Sequence, residues 1–303
     1  MRVFSASFAP GVLLGFVLAL ASAALFAIRP IFVKLTYAEG IDPNTLIVLR
    51  MAISAPIYAV LLYWFLRSRA NFEIRPRTLS IIIVAGTFGY FLASLLDLIG
   101  LQYVTTQLGR MILYVYPSFV VLIGALVFGQ AITLRLIGAL ILTYLGIAFI
   151  FGHDLQMFGP DTITGTLWIL ASALAFSVYL VLSKPLVQEV GSRVFTCIAL
   201  LAASAAVGVY FFTIAGGVQA MPPVNQNAWG YITFIAIFCT VIPTFFTTAA
   251  VARIGPERTG IIAMIGPGFT SVFAVLILAE QFTIYHLLGI IITVIGVAML
   301  PRN

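Results

Sequence analysis

Charge is what this sequence has least of. Only 8% of the 303 residues are charged, 15 Lys and Arg against 9 Asp and Glu, where soluble domains carry roughly a quarter. With 62% hydrophobic residues, one globular core cannot hide so much apolar surface, and a soluble protein is excluded. Cysteine is equally sparse. Cys197 and Cys239 both fall in apolar runs at no metal-ligand spacing, so a disulfide framework is excluded and both read as small core hydrophobes. The two histidines, His153 and His286, lie near expected helix ends. No nucleophile stands beside a base, no histidine or cysteine spacing suggests a metal, and no glycine-rich phosphate loop or GxxxxGK[ST] motif is present. The expectation is therefore no enzyme, no metal, no cofactor and no ATP-driven machine.

What is present is a series of apolar runs, each about 20 residues long and sufficient to cross a hydrocarbon core of roughly 30 Å. Ten are expected: 12 to 34, 45 to 66, 79 to 101, 105 to 128, 134 to 152, 163 to 184, 193 to 215, 229 to 251, 258 to 279 and 285 to 300. The fold class is thus an all-α membrane protein of ten transmembrane helices, multi-pass in the inner or plasma membrane, with its function inside the bundle. Basic residues bias loops toward the cytoplasm. Placing the amino terminus there gathers Arg2, Arg67, Arg69, Arg75, Arg77, Arg135, Lys184, Arg193, Arg253, Arg258 and Arg302 on one side, and leaves Lys34 with Glu39, Asp42, Asp154, Asp161 and Glu280 on the other. Both termini are then cytoplasmic. This bias accounts for the net charge of +6, so no nucleic-acid partner is needed to explain it.

The chain is also a duplication. A shift of 150 residues brings LASAALFAIRPIFVK (Leu20 to Lys34) onto LASALAFSVYLVLSK (Leu170 to Lys184), and pairs Gly15 with Gly165, Ser54 with Ser204, Pro117 with Pro267, Thr133 with Thr283 and Gly146 with Gly296. Matches spread along the whole length define two repeats: residues 1–152, a linker at 153–162, and residues 163–303. Ala21-Ser22-Ala23 resembles a signal-peptidase site, but its twin Ala171-Ser172-Ala173 lies mid-chain, so the first segment reads as a permanent helix. Five helices per repeat is an odd number, which inverts the second copy. Inverted repeats suit alternating access, in which two halves rock about a site near the midplane.

Two stretches carry a resemblance. VARIGPERTGIIAMIGPGFTSVFAVLILAEQFTIYHLLGIIITVIGVAML, Val251 to Leu300, resembles the closing signature of the drug/metabolite transporter superfamily, in particular its EamA-type ten-helix members, through Arg253, Gly255, Pro256, Pro267, Glu280 and Gly289. Gly100 to Phe149 resembles the same signature more loosely. Two positions depart from it: Phe26-Ala27 stands where relatives often have Trp-Gly, and Gln130 where a Glu is usual. The resemblance implies a ten-helix bundle with a central cavity that moves small metabolites, often outward.

Charges within the membrane are expensive, roughly 2.5–3.5 kcal/mol each on insertion scales, so each one needs a reason. Four fall inside the expected spans and away from their end residues: Arg29, Arg50, Asp97 and Arg110. Each lies four to six residues from the external end of its span, so all four share one depth. Their repeat twins are Tyr179, Leu200, Thr247 and Gly260, none of them charged. The fold does not require these charges, which argues for function. One Asp against three Arg leaves positive charge for a substrate anion, which an arginine fork binds bidentately. Helical spacing adds Tyr90 and Ser94 on the face of Asp97, and Gln107, Tyr114 and Pro117 on the face of Arg110. The second repeat offers Ser172 with Tyr179, and Thr240 with Thr244, Thr247 and Thr248. The alternatives are that Arg29 and Arg50 snorkel to the headgroups and that Asp97 and Arg110 form a structural ion pair.

The candidate substrate-binding set is therefore Arg29, Arg50, Tyr90, Ser94, Asp97, Arg110, Tyr114, Tyr179 and Thr244. It favours a secondary transporter of a small organic anion or amphoteric metabolite, such as an amino acid or an organic acid. A multidrug cation exporter would need a carboxylate facing the cavity without excess arginine, and a membrane scaffold would need large exposed loops. Monomer and homodimer both stay open. Asp97, the one carboxylate inside these spans, is the natural carrier if transport is coupled to protons, although a neighbouring arginine stabilises the carboxylate and opposes that role. Asp97→Asn separates the two: if Asp97 carries the proton, the pH profile of transport flattens, and an unchanged profile removes it as carrier.

Overall fold

The computed structural model describes residues 10–67, 73–129 and 133–299. Arg2, Arg69, Gln130 and Arg302 lie outside the described residues, as does the side chain of Arg135. The described chain is helical: α1 (Pro10–Ala38), α2 (Pro43–Arg67), α3 (Pro76–Gly86), α4 (Ala93–Leu101), α5 (Thr106–Leu113), α6 (Tyr116–Phe128), α7 (Leu134–Phe158), α8 (Asp161–Val190), α9 (Ser192–Thr213), α10 (Gln226–Ala236), α11 (Ile242–Ala263), α12 (Gly266–Leu278) and α13 (Ile284–Met299). Several join end to end. Among the described residues, nine helical segments are long and apolar enough to cross a membrane, and α13 is a shorter apolar helix of 16 residues.

The breaks between joined helices recur at the repeat spacing. A π-helical turn at Thr87–Leu92 links α3 to α4, and another at Ile237–Val241 links α10 to α11. Pro117 and Pro267 follow the next pair of breaks, in the first turns of α6 and α12; a proline tolerates that place because its missing N–H has no helical partner there. These two prolines thus start new helices, whereas Pro30, Pro56 and Pro185 lie within α1, α2 and α8.

Packing exchanges the two repeats. Helix α1 lies against α11 and α12 of the second repeat, while α8 lies against α4 and α6 of the first; α2 pairs with α9, and α7 with α13. Hydroxyl bonds obey the same exchange. Ser22 donates to the Pro243 carbonyl at 2.9 Å, and its twin Ser172 donates to the carbonyl of Ala93, the twin of Pro243, at 2.7 Å. In lipid such small polar residues join helices without the hydrophobic driving force available in water. Between α7 and α13 the joint is glycine: a side chain at Gly146 would collide with Thr293 and with the Gly289 carbonyl, and one at Gly296 with Thr143. The outer surface is apolar, with Leu126 86% and its twin Leu276 76% exposed, as suits contact with lipid.

Two expectations need correction. The fifth span does not end at residue 152, because α7 continues to Phe158 and leaves only Gly159 and Pro160 before α8. Asp154, buried at 1% exposure, therefore lies inside a membrane-length helix, and Asp97 is not the sole buried carboxylate within such a helix. Cys197 and Cys239 are free and buried, as expected of core hydrophobes.

One asymmetry between the repeats is testable. Helix α6 ends on Gly129 at φ 66°, whereas α12 ends on Ala279 at φ 54°. The left-handed conformation crowds a Cβ, and glycine relieves it. Ala279→Gly is expected to stabilise the protein by about 1 kcal/mol, read as a higher midpoint of thermal unfolding in detergent; a lower midpoint contradicts the strain argument.

Candidate functional site

The intramembrane charges converge. Arg29 projects from α1, beside the Pro30 kink, and its Nη2 donates to Asp97 Oδ2 on α4 at 3.3 Å. Arg110 comes from the short helix α5. That helix starts cleanly because the Thr105 hydroxyl accepts the Leu108 amide, while Glu280 of the second repeat accepts the amides of Thr106 and Gln107. Arg29, Asp97 and Arg110, with Pro30, Leu101, Gly109 and Leu113, line a single cleft. Its free space holds little more than about one water molecule, so the cleft is closed in this conformation.

Arg50 stands behind that cleft on α2, 2% exposed and within electrostatic range of Arg29 and Asp97. A guanidinium is always charged and offers five donors. Two of its three nitrogens, Nε and Nη2, have no hydrogen-bond partner, and the Nε atoms of Arg29 and Arg110 are likewise buried and unpartnered. Snorkelling, which would carry the head group into water, is ruled out for Arg50 by its burial. Three arginines around one aspartate leave two positive charges uncompensated within the group.

The remaining sequence candidates divide. Tyr114 belongs with the arginines: Arg110 lies over its ring, 5.4 Å from the centroid, and its hydroxyl donates to the Ala263 carbonyl of α11 at 2.5 Å. Opposite them is Gly266, where a side chain would meet the Tyr114 hydroxyl, so the first-repeat charges touch the second repeat through a glycine. Tyr90 and Tyr179 form a separate pair, hydroxyl to hydroxyl at 3.0 Å, packed with Phe176 and Phe195. Ser94 is half-buried and does not line the cleft. Thr244 turns its hydroxyl to the Thr240 carbonyl of its own helix and also stands outside it. Sequence reasoning missed the apolar and small members of the lining, Leu101, Gly109 and Leu113, because nothing distinguishes them from lipid-facing or core residues.

The matches to known proteins agree with this architecture. The chain belongs to the EamA-like transporter family, which it matches twice, at residues 13–152 and 163–301. It is 28% identical over 267 residues to the uncharacterized transporter YcbK of Bacillus subtilis (strain 168), covering 87% of this chain and 85% of that one. It is 24% identical over 271 residues to an uncharacterized transporter of Archaeoglobus fulgidus, covering 88% and 90%. A solved crystal structure shares the fold, with a TM-score of 0.65 and 20% identity over 95% of each chain. The protein is accordingly a multi-pass membrane transporter, in a family of transporters rather than enzymes.

A buried guanidinium with unmet donors and no ion-pair partner of its own costs stability, because its desolvation is not repaid by hydrogen bonds. Arg50→Met is therefore expected to leave the unfolding midpoint unchanged or raise it. A clear drop shows instead that Arg50 holds the bundle together.

Proposed function

We propose that the protein is a secondary transporter of small organic anions or amphoteric metabolites, amino acids or organic acids, and that it works as an exporter by alternating access. In this reading α13 is the tenth span, the two five-helix repeats are inverted, and both termini are cytoplasmic. The observation that carries the proposal is the convergence of Arg29, Arg50 and Arg110 on a single carboxylate, with guanidinium nitrogens left unpartnered in the buried interior.

Arg110, which lines the cleft, receives the anionic group of the substrate, and Arg50 adds its positive charge from behind it. Asp97 has two uses. It holds Arg29 in place when the cleft is empty, and it offers a counter-charge to the ammonium of an amphoteric substrate. Tyr114 fixes Arg110 by its ring and ties it to α11 of the other repeat, so movement between the repeats changes the geometry of the anion site. Since the cleft is closed here, loading requires the repeats to part. A lipophilic cation meets two excess positive charges in this cleft and is repelled, which sets the multidrug reading aside. An ion gradient, exchange or the substrate gradient drives transport.

Thermal unfolding of the purified protein against carboxylates, phosphates, amino acids and lipophilic cations tests the reading, because a ligand bound at 100 times its Kd stabilises by about 2.7 kcal/mol. An anion or amino acid is expected to raise the midpoint of the wild type and to lose that effect in Arg110→Gln. Stabilisation by cations alone, or by an anion equally in both proteins, contradicts it.

A further inference from the structure

A second polar cluster lies away from the arginines, where the end of α7, the start of α13 and the connection before α5 meet. Asp154 is 1% exposed and His286 2%. His153 Nδ1 stands 3.2 Å from Asp154 Oδ1, and His286 Nε2 stands 3.6 Å from the same oxygen. One nitrogen from each histidine and one carboxylate oxygen all lie within 4.8 Å of one another.

The repeat shows that the fold does not need His286. Its twin is Leu136, equally buried at 1% exposure, and each follows a threonine, Thr133 or Thr283, at the start of its helix. In the first repeat the Thr133 hydroxyl accepts the Leu136 amide. In the second, the Thr283 hydroxyl lies 2.9 Å from His286 Nδ1. With the proton on Nδ1, that nitrogen donates to the threonine oxygen and Nε2 directs a bare lone pair at the Asp154 carboxylate. A lone pair facing a carboxylate is repulsive unless a cation lies between them. Nε2 has no hydrogen-bond partner within 3.5 Å and faces Asp154 Oδ1 at 3.6 Å, which makes it a buried polar atom aimed into the cluster. The competing arrangement has Nδ1 accepting the Thr283 amide at 3.3 Å and a protonated Nε2 separated by 3.6 Å from Asp154 Oδ1, beyond ordinary hydrogen-bond length.

We propose that His153, Asp154 and His286 bind a divalent transition-metal ion of the zinc class. Metal–ligand bonds of about 2.0–2.2 Å in a tetrahedron separate the ligand atoms by about 3.3–3.5 Å, and the two histidine separations from Asp154 Oδ1, 3.2 and 3.6 Å, bracket that range. Two imidazoles with one carboxylate suit zinc or cobalt and not the hard cations calcium and magnesium. The supporting partners are in place: Thr105 donates to Asp154 Oδ2 at 2.6 Å, and Thr283 orients His286, as outer-shell groups do in metal sites. His153, its side chain 14% exposed, leaves the approach on which solvent or a further ligand completes the coordination. The ion would tie α7 to α13 and to the turn that launches α5, the helix that carries Arg110, and so brace one rim of the cleft. This inference stands apart from the anion reading and shares no residue with it.

The chain contains only these two histidines, so a preparation freed of any histidine tag gives a clean test. The protein is dialysed against micromolar zinc and the bound metal measured, and cobalt is added separately for its visible spectrum. The wild type is expected to retain about one zinc per chain and to show the intense bands of tetrahedral cobalt. Both signals should be lost in His286→Leu, which installs the residue the first repeat carries at that place, and in Asp154→Asn. A wild type that retains no stoichiometric zinc overturns the proposal and leaves the hydrogen-bonded arrangement. So does metal retained equally by the two variants.

Discussion

Three guanidinium groups share one carboxylate inside a membrane, and this shortage of negative charge governs the rest of the molecule. Arg50, 2% exposed, is enclosed by the bundle and does not reach the headgroups. The Arg29–Asp97 contact at 3.3 Å settles one charge and leaves two. In the proposed reading, what the bundle gains from such a deficit is an affinity for the missing anion.

The surrounding structure keeps the deficit in place by pairing two copies of one unit. Ser22 with Pro243 and Ser172 with Ala93 make the same bond in opposite senses, and the glycines between α7 and α13 make one joint from both sides. Because the joints are duplicated, the charged residues are free to be unique. Leu200 fills the place of Arg50 with an ordinary core contact, and Tyr179 fills that of Arg29 with a bond to Tyr90. The scaffold is symmetric and the chemistry is confined to one half. The same comparison marks His286, which replaces the leucine that suffices in the first repeat.

Much of this was legible in the sequence, for physical reasons. Spans show themselves because lipid demands long apolar runs, and the duplication shows itself because helix joints keep their serines, glycines and prolines. The grouping of Arg29, Asp97 and Arg110 followed from their common depth, since helices crossing one membrane bring residues of equal depth together. What escaped detection was set by rotation about helix axes. Ser94 and Thr244 have suitable chemistry at suitable heights yet turn away from the cleft, and Tyr90 chose Tyr179 over Asp97. The Asp154 cluster was hidden twice. Helix α7 runs on past the unbroken apolar run that closes at Gly152, which placed Asp154 in an expected linker, and its partner His286 belongs to the other repeat, where spacing along the chain carries no information.

The account rests on an anion completing the charge of the cleft, and the most direct measurement is to locate one. Crystals grown with bromide, examined by its anomalous scattering, are predicted to show a peak roughly 3–4 Å from the guanidinium nitrogens of Arg29 and Arg110, which line the cleft. Anomalous density that appears elsewhere on the protein but not in this cleft, with the guanidinium groups met only by water, contradicts the account.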